Sequence, residues 1–319
     1  MYVPFISTPR SKSRKLYRRK GGGGGGGKGG GGGGKSGGGG KSGGGGKSGG
    51  GGKSGGSGSS SGPQRVQPVN TGGSSKKSSS YGGGGGKAST IPSGSLFAGR
   101  PQGGATRSQV YGTSIYGSGY PGTVGRGVAG RGFPFYYWPL VWGGLAGYGG
   151  ASYLHNNEYG LPNNSSRPGG VMMSATFPAS SGNATFHVVA DNSTVASLIT
   201  DIRNNCSSVI NTSSVSGAPI AFNDSDTSTP KPEQAVQFYR ASSVALTVDG
   251  YNNTGALDDS GNTPDTPVPS WVDTNALSCL NYTIGSAVPL VDGANARLTN
   301  PCLGFLALAW VLYHLCSFF

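Results

Sequence analysis

The chain has 319 residues, of which 64 are glycine, 34% are apolar and only 12% are charged. That composition excludes two conventional hydrophobic cores, although the length alone would accommodate them. Charge is also unevenly placed: residues 1–157 carry 20 Lys and Arg and no acid, whereas residues 158–319 carry 5 basic and 12 acidic residues. The halves bear +20 and −7, which together give a net charge of +13. A basic arm of this kind suits polyanions such as acidic glycans, anionic lipid or nucleic acid, and its dispersed lysines also keep a glycine chain solvated.

Residues 1–20 form a basic N-terminal segment whose cluster runs from Arg10 to Lys20. It lacks an uninterrupted apolar stretch of about 7–15 residues and does not read as a secretory signal. Residues 21–131 read as a disordered Gly/Ser/Lys-rich arm. Its first part repeats GGGGKS, with Lys35, Lys41, Lys47 and Lys53 setting the period. Glycine loses the most backbone entropy on ordering and has no side chain to bury, so nothing in the repeat offsets folding. Gly29 to Ser36 formally matches the phosphate-binding pattern GxxxxGK[ST]. That loop needs a strand before it and a helix after it, and here both flanks are glycine, so the match is discarded. Further along stand Tyr81, Tyr111, Tyr116 and Tyr120, then two GRG triplets at Arg126 and Arg131. Residues 132–167 form an aromatic, Gly-rich linker broken by Pro134 and Pro139. Its apolar block GFPFYYWPLVWGGLAGYGG, from Gly132, is short for a membrane span and is expected to fold over the domain behind it, the alternatives being adhesion to other surfaces or a place at the membrane interface.

Residues 168–292 read as a small α+β domain held by one disulfide. Val171–Phe177 and Thr185–Ala190 have strand composition around a hairpin loop. Asp191, Asn192 and Ser193 offer N-caps to a helix whose Val195, Leu198, Ile199 and Ile202 follow i, i+3, i+4, i+7 and which ends near Cys206. The Ser/Asn-rich stretch to Thr229 reads as a loop. Pro232 is expected to start a short helix through Tyr239, Ser243–Val248 to form a strand, and Trp271–Leu280 to form a third helix carrying Cys279. A Cys206–Cys279 disulfide would close a loop of roughly 70 residues and contribute about 3–4 kcal/mol. Nine N-glycosylation sequons cluster in this half, at Asn163, Asn164, Asn183, Asn192, Asn205, Asn211, Asn223, Asn252 and Asn281. Sequons and a cysteine pair together point to the secretory pathway.

No residue set makes a convincing catalytic, cofactor or metal site. Of the histidines, only His187 lies inside the domain, and one imidazole without a second ligand at helical or turn spacing does not build a zinc site. Glu233 with Asp249, and Asp258 with Asp259, are the carboxylate pairings available. Arg240 is expected to cap a helix or to bridge to an acid rather than to act in chemistry.

Residues 293–301 are a polar spacer before an 18-residue apolar tail, 302–319, expected as a helix. The tail approaches the roughly 20 residues that span a bilayer. Small residues, a spacer and an apolar run also form the signal for a glycosylphosphatidylinositol (GPI) anchor. The attachment candidates are Asp292 and Gly293, with Gly285 as a second choice. The absence of a basic flank behind the tail favours the GPI reading over a transmembrane helix.

The strings IPSGSLFAGR, ATRSQVYGTSIYGSGYPG, GRGFPFYYWPLVWGG, EYGLPNNSSRPGG, QFYRASSVALTVDGYNNT and CLNYTIGSAVPLVD resemble Gly-rich secreted or cell-surface proteins of basidiomycete fungi. The likeness covers roughly residues 88–292, and QFYRASSVALTVDGYNNT is its most specific block. The resemblance implies a secretory signal before the Gly-rich arm, from which residues 1–20 depart, and it implies no activity, substrate or catalytic residue. The expected function is therefore that of a non-enzymatic glycoprotein anchored at the extracellular face of the membrane or in the wall. The alternative is an intracellular nucleic-acid-binding protein that uses the basic arm.

Overall fold

A computed structural model describes residues 63–122, 126–142, 152–154, 157–223, 226, 228–258, 260 and 262–293. The basic N-terminal segment, the GGGGKS repeat, most of the polar spacer and the apolar tail lie outside the described residues. The elements in chain order are β1 (Val66–Thr71), β2 (Ser74–Ser79), β3 (Ser89–Thr90), β4 (Pro101–Gln102), β5 (Met172–Pro178), β6 (Thr185–Asp191), α1 (Asn192–Asn205), β7 (Ile220–Ala221), β8 (Ala235–Tyr239), β9 (Val244–Val248), α2 (Thr274–Ala287) and β10 (Leu290–Val291). The mixture of two helices with antiparallel sheets agrees with the α+β expectation.

A five-stranded antiparallel sheet in the order β7-β5-β6-β9-β8 forms the centre. β5 and β6 make the expected hairpin, paired from Met172–Asp191 to Pro178–Thr185. β9 is buried at all five positions, as the continuous run VALTV requires of a strand covered on both faces. α1 buries Val195, Leu198, Ile199 and Ile202 on one stripe and packs on β5, β6 and α2. Asp191 is its N-cap, accepting from Thr194 N at 3.0 Å. α2 begins three residues later than expected and runs seven residues further. Asp273 caps it by accepting from Asn275 N at 2.8 Å and Ala276 N at 3.1 Å. Cys206, the C-cap of α1, is bonded to Cys279 of α2 with Cα atoms 5.8 Å apart.

Three expectations are corrected. The stretch to Thr229, expected as a loop, carries the short strand β7, which pairs with Met173 and Ser174 of β5. The helix expected from Pro232 through Tyr239 is only a 3-10 turn at Pro232–Gln234, followed by strand β8. Val236, Phe238 and Tyr239 fit a pleated surface, and β9 supplies the ladder that a lone short helix lacks. The largest correction concerns the arm: residues 63–122 and 126–131, expected to be disordered, carry β1–β4 and pack into the body. β2 pairs with β1 on one side and with β10 on the other, joining the arm to the last strand of the domain. Residues 110–113 lie along the exposed edge of β8: Arg240 N donates to Val110 O at 2.7 Å, Gly112 N to Phe238 O at 2.9 Å and Phe238 N to Thr113 O at 2.8 Å. A sheet edge that would otherwise offer unpaired N–H and C=O groups is thereby closed.

The described part of the aromatic block, residues 133–142, packs on the domain and is largely buried, Phe133, Phe135, Tyr137, Trp138 and Trp142 among it. Trp142 meets Tyr116 and Phe238 edge-on at ring separations of 5.4 and 5.8 Å, so linker, arm and β8 share one cluster. The charge asymmetry between the halves is partly satisfied inside the fold. Arg65 pairs with Asp201 of α1, and Arg100 pairs with Glu158.

Candidate anion-binding pocket

The residues singled out by sequence scatter over the body. Asn163, Asn183, Asn192, Asn205, Asn211, Asn223 and Asn252 are exposed, while Asn164 and Asn281 are half-buried. Asn205 Nδ2 donates to the Tyr81 hydroxyl at 3.0 Å, and Asn281 Oδ1 accepts from the buried Tyr239 hydroxyl at 2.7 Å. The two asparagines therefore already hold structural contacts. Gly285 is buried within α2, where a Cβ would lie 2.0 Å from the Tyr111 hydroxyl. Chain cleavage there would remove β10, so the second-choice attachment point is poorly placed. Asp292 is tied to the arm: Oδ2 accepts from Ser79 Oγ and Oδ1 from Gly84 N at 2.8 Å. Gly293 N donates to Gly84 O at 3.1 Å.

The suggested acid–base groups are not brought together into a reactive set. His187 Nε2 lies 3.0 Å from Asp249 Oδ1 without hydrogen-bond alignment, and Nδ1 lies 3.2 Å from Thr176 Oγ1 on the neighbouring strand. Asp258 accepts from the N–H groups of Ser260, Asn262 and Thr263 and from Ser260 Oγ. Those bonds, the Ser260 hydroxyl first, hold its carboxyl well below the usual range, as in a loop-closing aspartate. Asp259 lies outside the described residues. No group of three or more His, Cys, Asp or Glu that could hold a metal ion occurs among the described residues.

Arg240 does bridge to an acid. Its side chain is fully buried, with Nη2 donating to Asp191 Oδ2 at 2.6 Å, Nη1 to Thr194 Oγ1 at 3.0 Å and to Pro289 O at 2.9 Å, and Nε to Ser243 Oγ at 2.7 Å. The guanidinium also stacks 3.4 Å from the Tyr137 ring centroid. One side chain thus ties the cap of α1, the chain before β10, the β8–β9 loop and the aromatic linker. The loop that carries it has three successive left-handed residues, at φ of +51°, +49° and +58° for Arg240, Ala241 and Ser242. Such a run costs on the order of 1–2 kcal/mol per residue, and only a surrounding that over-determines it sustains it. Here Gly117 N donates to Ser242 Oγ at 2.9 Å and Leu140 N to Ser242 O at 2.8 Å. With the guanidinium bonded at all three nitrogens and closed to solvent, the cluster is structural.

The GRG arginines are spent in the same manner. Arg126 Nη1 donates to the carbonyls of Gly255 and Asp258, and Arg131 Nε donates to Gly127 O at 2.9 Å. Arg107 Nη1 reaches Gly285 O at 3.1 Å and Val288 O at 2.7 Å, closing the C-terminal end of α2. Burial pulls its pKa down to about 10.

One place does collect unused charge. Beside β2, where β10 stops after pairing with Ser79 and Ser78, a cavity of about 450 Å³ opens. Lys76 and Lys77 of β2, Lys87, Tyr136, Asp292 and Gly293 line it, with Gln64 and Val66 at its arm side. Lys76 Nζ stands 5.2 Å from the Tyr136 ring centroid, and the Tyr136 hydroxyl donates to Lys87 O at 2.7 Å. None of the three lysines forms an ion pair among the described residues, whereas the single carboxylate, Asp292, is occupied by Ser79 and Gly84. Ammonium groups over a hydrogen-bonded wall suit a phosphate or carboxylate. These lysines belong to the arm that sequence marked for polyanions, but the pocket itself exists only once β2 is paired with the domain's last strand. No family model, curated protein or solved structure matches this chain.

Proposed function

We propose that the chain is a non-enzymatic glycoprotein anchored at the extracellular face of the membrane or in the wall, with its basic arm engaging acidic glycans or other polyanions. The observation that carries the reading is the Cys206–Cys279 disulfide between α1 and α2, because such bonds form and persist in oxidising compartments. Seven exposed sequon asparagines on the same body support it. The tether is the apolar run after the polar spacer, with GPI attachment at Asp292 or Gly293 preferred to a span. The arm lysines Lys35, Lys41, Lys47 and Lys53 supply the sequence-independent attraction, which weakens with salt.

Surface labelling before and after phosphatidylinositol-specific phospholipase C tests the location and the tether in one experiment. Release by the lipase supports the anchor, and retention on the surface favours an intact span. A nuclear signal with no mobility shift after PNGase sinks the surface reading and leaves nucleic-acid binding as its replacement. Against that rival stands the use of Arg126 and Arg131 as donors to main-chain carbonyls, which occupies part of each guanidinium inside the fold.

A further inference from the structure

We propose that the pocket beside β2 seats the bridging phosphate of a glycolipid anchor joined to the chain's own carboxyl at Gly293. The inference rests on the GPI reading above and gives that anchor a site on the protein. Gly293 is itself part of the pocket wall, and its N–H bond to Gly84 O and the Gly85–Asp292 bridge hold the chain there. Attachment at Gly293 keeps β10 and both Asp292 bonds, whereas attachment at Gly285 would remove them.

The covalent step is a transamidation. The Gly293–Ala294 peptide bond breaks, the amine of an ethanolamine-phosphate-bearing glycolipid bonds to the Gly293 carbonyl carbon, and one amine proton passes to the departing Ala294 nitrogen. No electron transfer is involved, and a secretory-pathway transamidase is the catalyst. The product places the phosphorus five bonds from the Gly293 carbonyl carbon, about 7.5 Å along the link at about 1.5 Å per bond. That reach falls within a cavity of about 450 Å³. The diester carries one negative charge and meets Lys76 and Lys87, which have no ion-pair partner among the described residues, while Lys77, next to Lys76 on β2, points to the opposite face of the strand. Solvated lysine contacts are individually weak. Tethering offsets this, because a short link holds the phosphate at an effective concentration on the order of millimolar or above. The result is an anchor whose first group is docked, so that the body is held close to its lipid rather than swinging on a free glycan.

The test compares two forms of the full-length product from one secretory host: the lipase-released anchored protein, and the uncleaved precursor from a transamidase-deficient strain. Amine acetylation followed by peptide mass spectrometry reads each lysine, with Lys35 and Lys41 of the repeat as references. Labelling of Lys76 and Lys87 is expected to fall several-fold in the anchored form while the references stay level. In parallel, the phosphodiester ³¹P resonance of the released protein is expected to shift and narrow in a K76Q/K87Q variant. An ethanolamine phosphate found on Gly293 with equal lysine labelling in both forms overturns the pocket assignment alone. A C-terminal peptide without ethanolamine overturns the anchor reading and the pocket assignment with it.

Discussion

Residues 63–142 and residues 168–292 reach the same compact state by different means. The second region is conventional: apolar side chains recur at helix or strand spacing, and each element buries its own face, as α1 and β9 do. The first has almost no such period. Apart from β1 (VQPVNT), its strands are two residues long or made of serine and lysine, and it is joined to the second region by the β2–β10 pairing and by scattered long-range bonds. Glycine there is used for close approach. Gly117, at φ +93°, lies where a Cβ would come within 2.2 Å of Gly127 O. A low apolar content thus does not by itself imply a disordered chain, provided a preformed partner supplies the ladder and the core.

The contrast can be broken most severely at Arg240. Arg240→Met leaves Asp191 buried without its cation and is expected to cost about 3–5 kcal/mol, read as a lowered urea midpoint or as failure to be secreted. Removing the disulfide with Cys206→Ser and Cys279→Ser is expected to cost about 3–4 kcal/mol, a difference that addition of reductant to the parent protein should reproduce. Gly117→Ala attacks the arm alone. A forced left-handed alanine against a backbone oxygen is expected to cost about 2–3 kcal/mol. Limited proteolysis should then cut within residues 63–142 before the domain, and simultaneous loss of both regions would show that they unfold as one unit.

Smaller effects sharpen the same boundary. Burial raises the Asp201 pKa above its ordinary 3.8 even with Arg65 beside it. A raised acid favours the folded state while protonated, so this contribution is present at low pH and is lost as pH rises through the folded pKa. Thermal melts from pH 3 to 7 should therefore show the parent losing stability relative to Asp201→Asn over that rise. Gly285→Ala is expected to change stability least, within about 1 kcal/mol, since the gain in helix propensity offsets displacement of an exposed Tyr111 ring. Its readout is the loss of the Tyr111–Asn281 contact between arm and α2, followed by hydrogen exchange.

Much of the second region was legible from pattern. The 3.6-residue spacing of Val195, Leu198, Ile199 and Ile202 marked α1, Asp191 marked its cap, and the two domain cysteines marked the bond between the helices. The block QFYRASSVALTVDGYNNT, the most specific in its resemblance, spans the end of β8, the left-handed loop and β9. The pocket was not legible, because Lys76 and Lys77 sit in SSKKSS, a string whose solvated reading is equally good until β10 pairs beside it.

Side-chain chemistry read along the chain was enough for the α+β class, the disulfide and the surface placement of most sequons, since each follows from local spacing or residue type. The fate of residues 63–131, the strand at β8, the role of Arg240 and the lysine pocket depended on partners more than 100 residues away in several cases, as with Arg65 and Asp201. Local propensity carries no term for such contacts. A glycine-rich segment can be ordered only by what it is laid against, and that is settled when the whole chain packs.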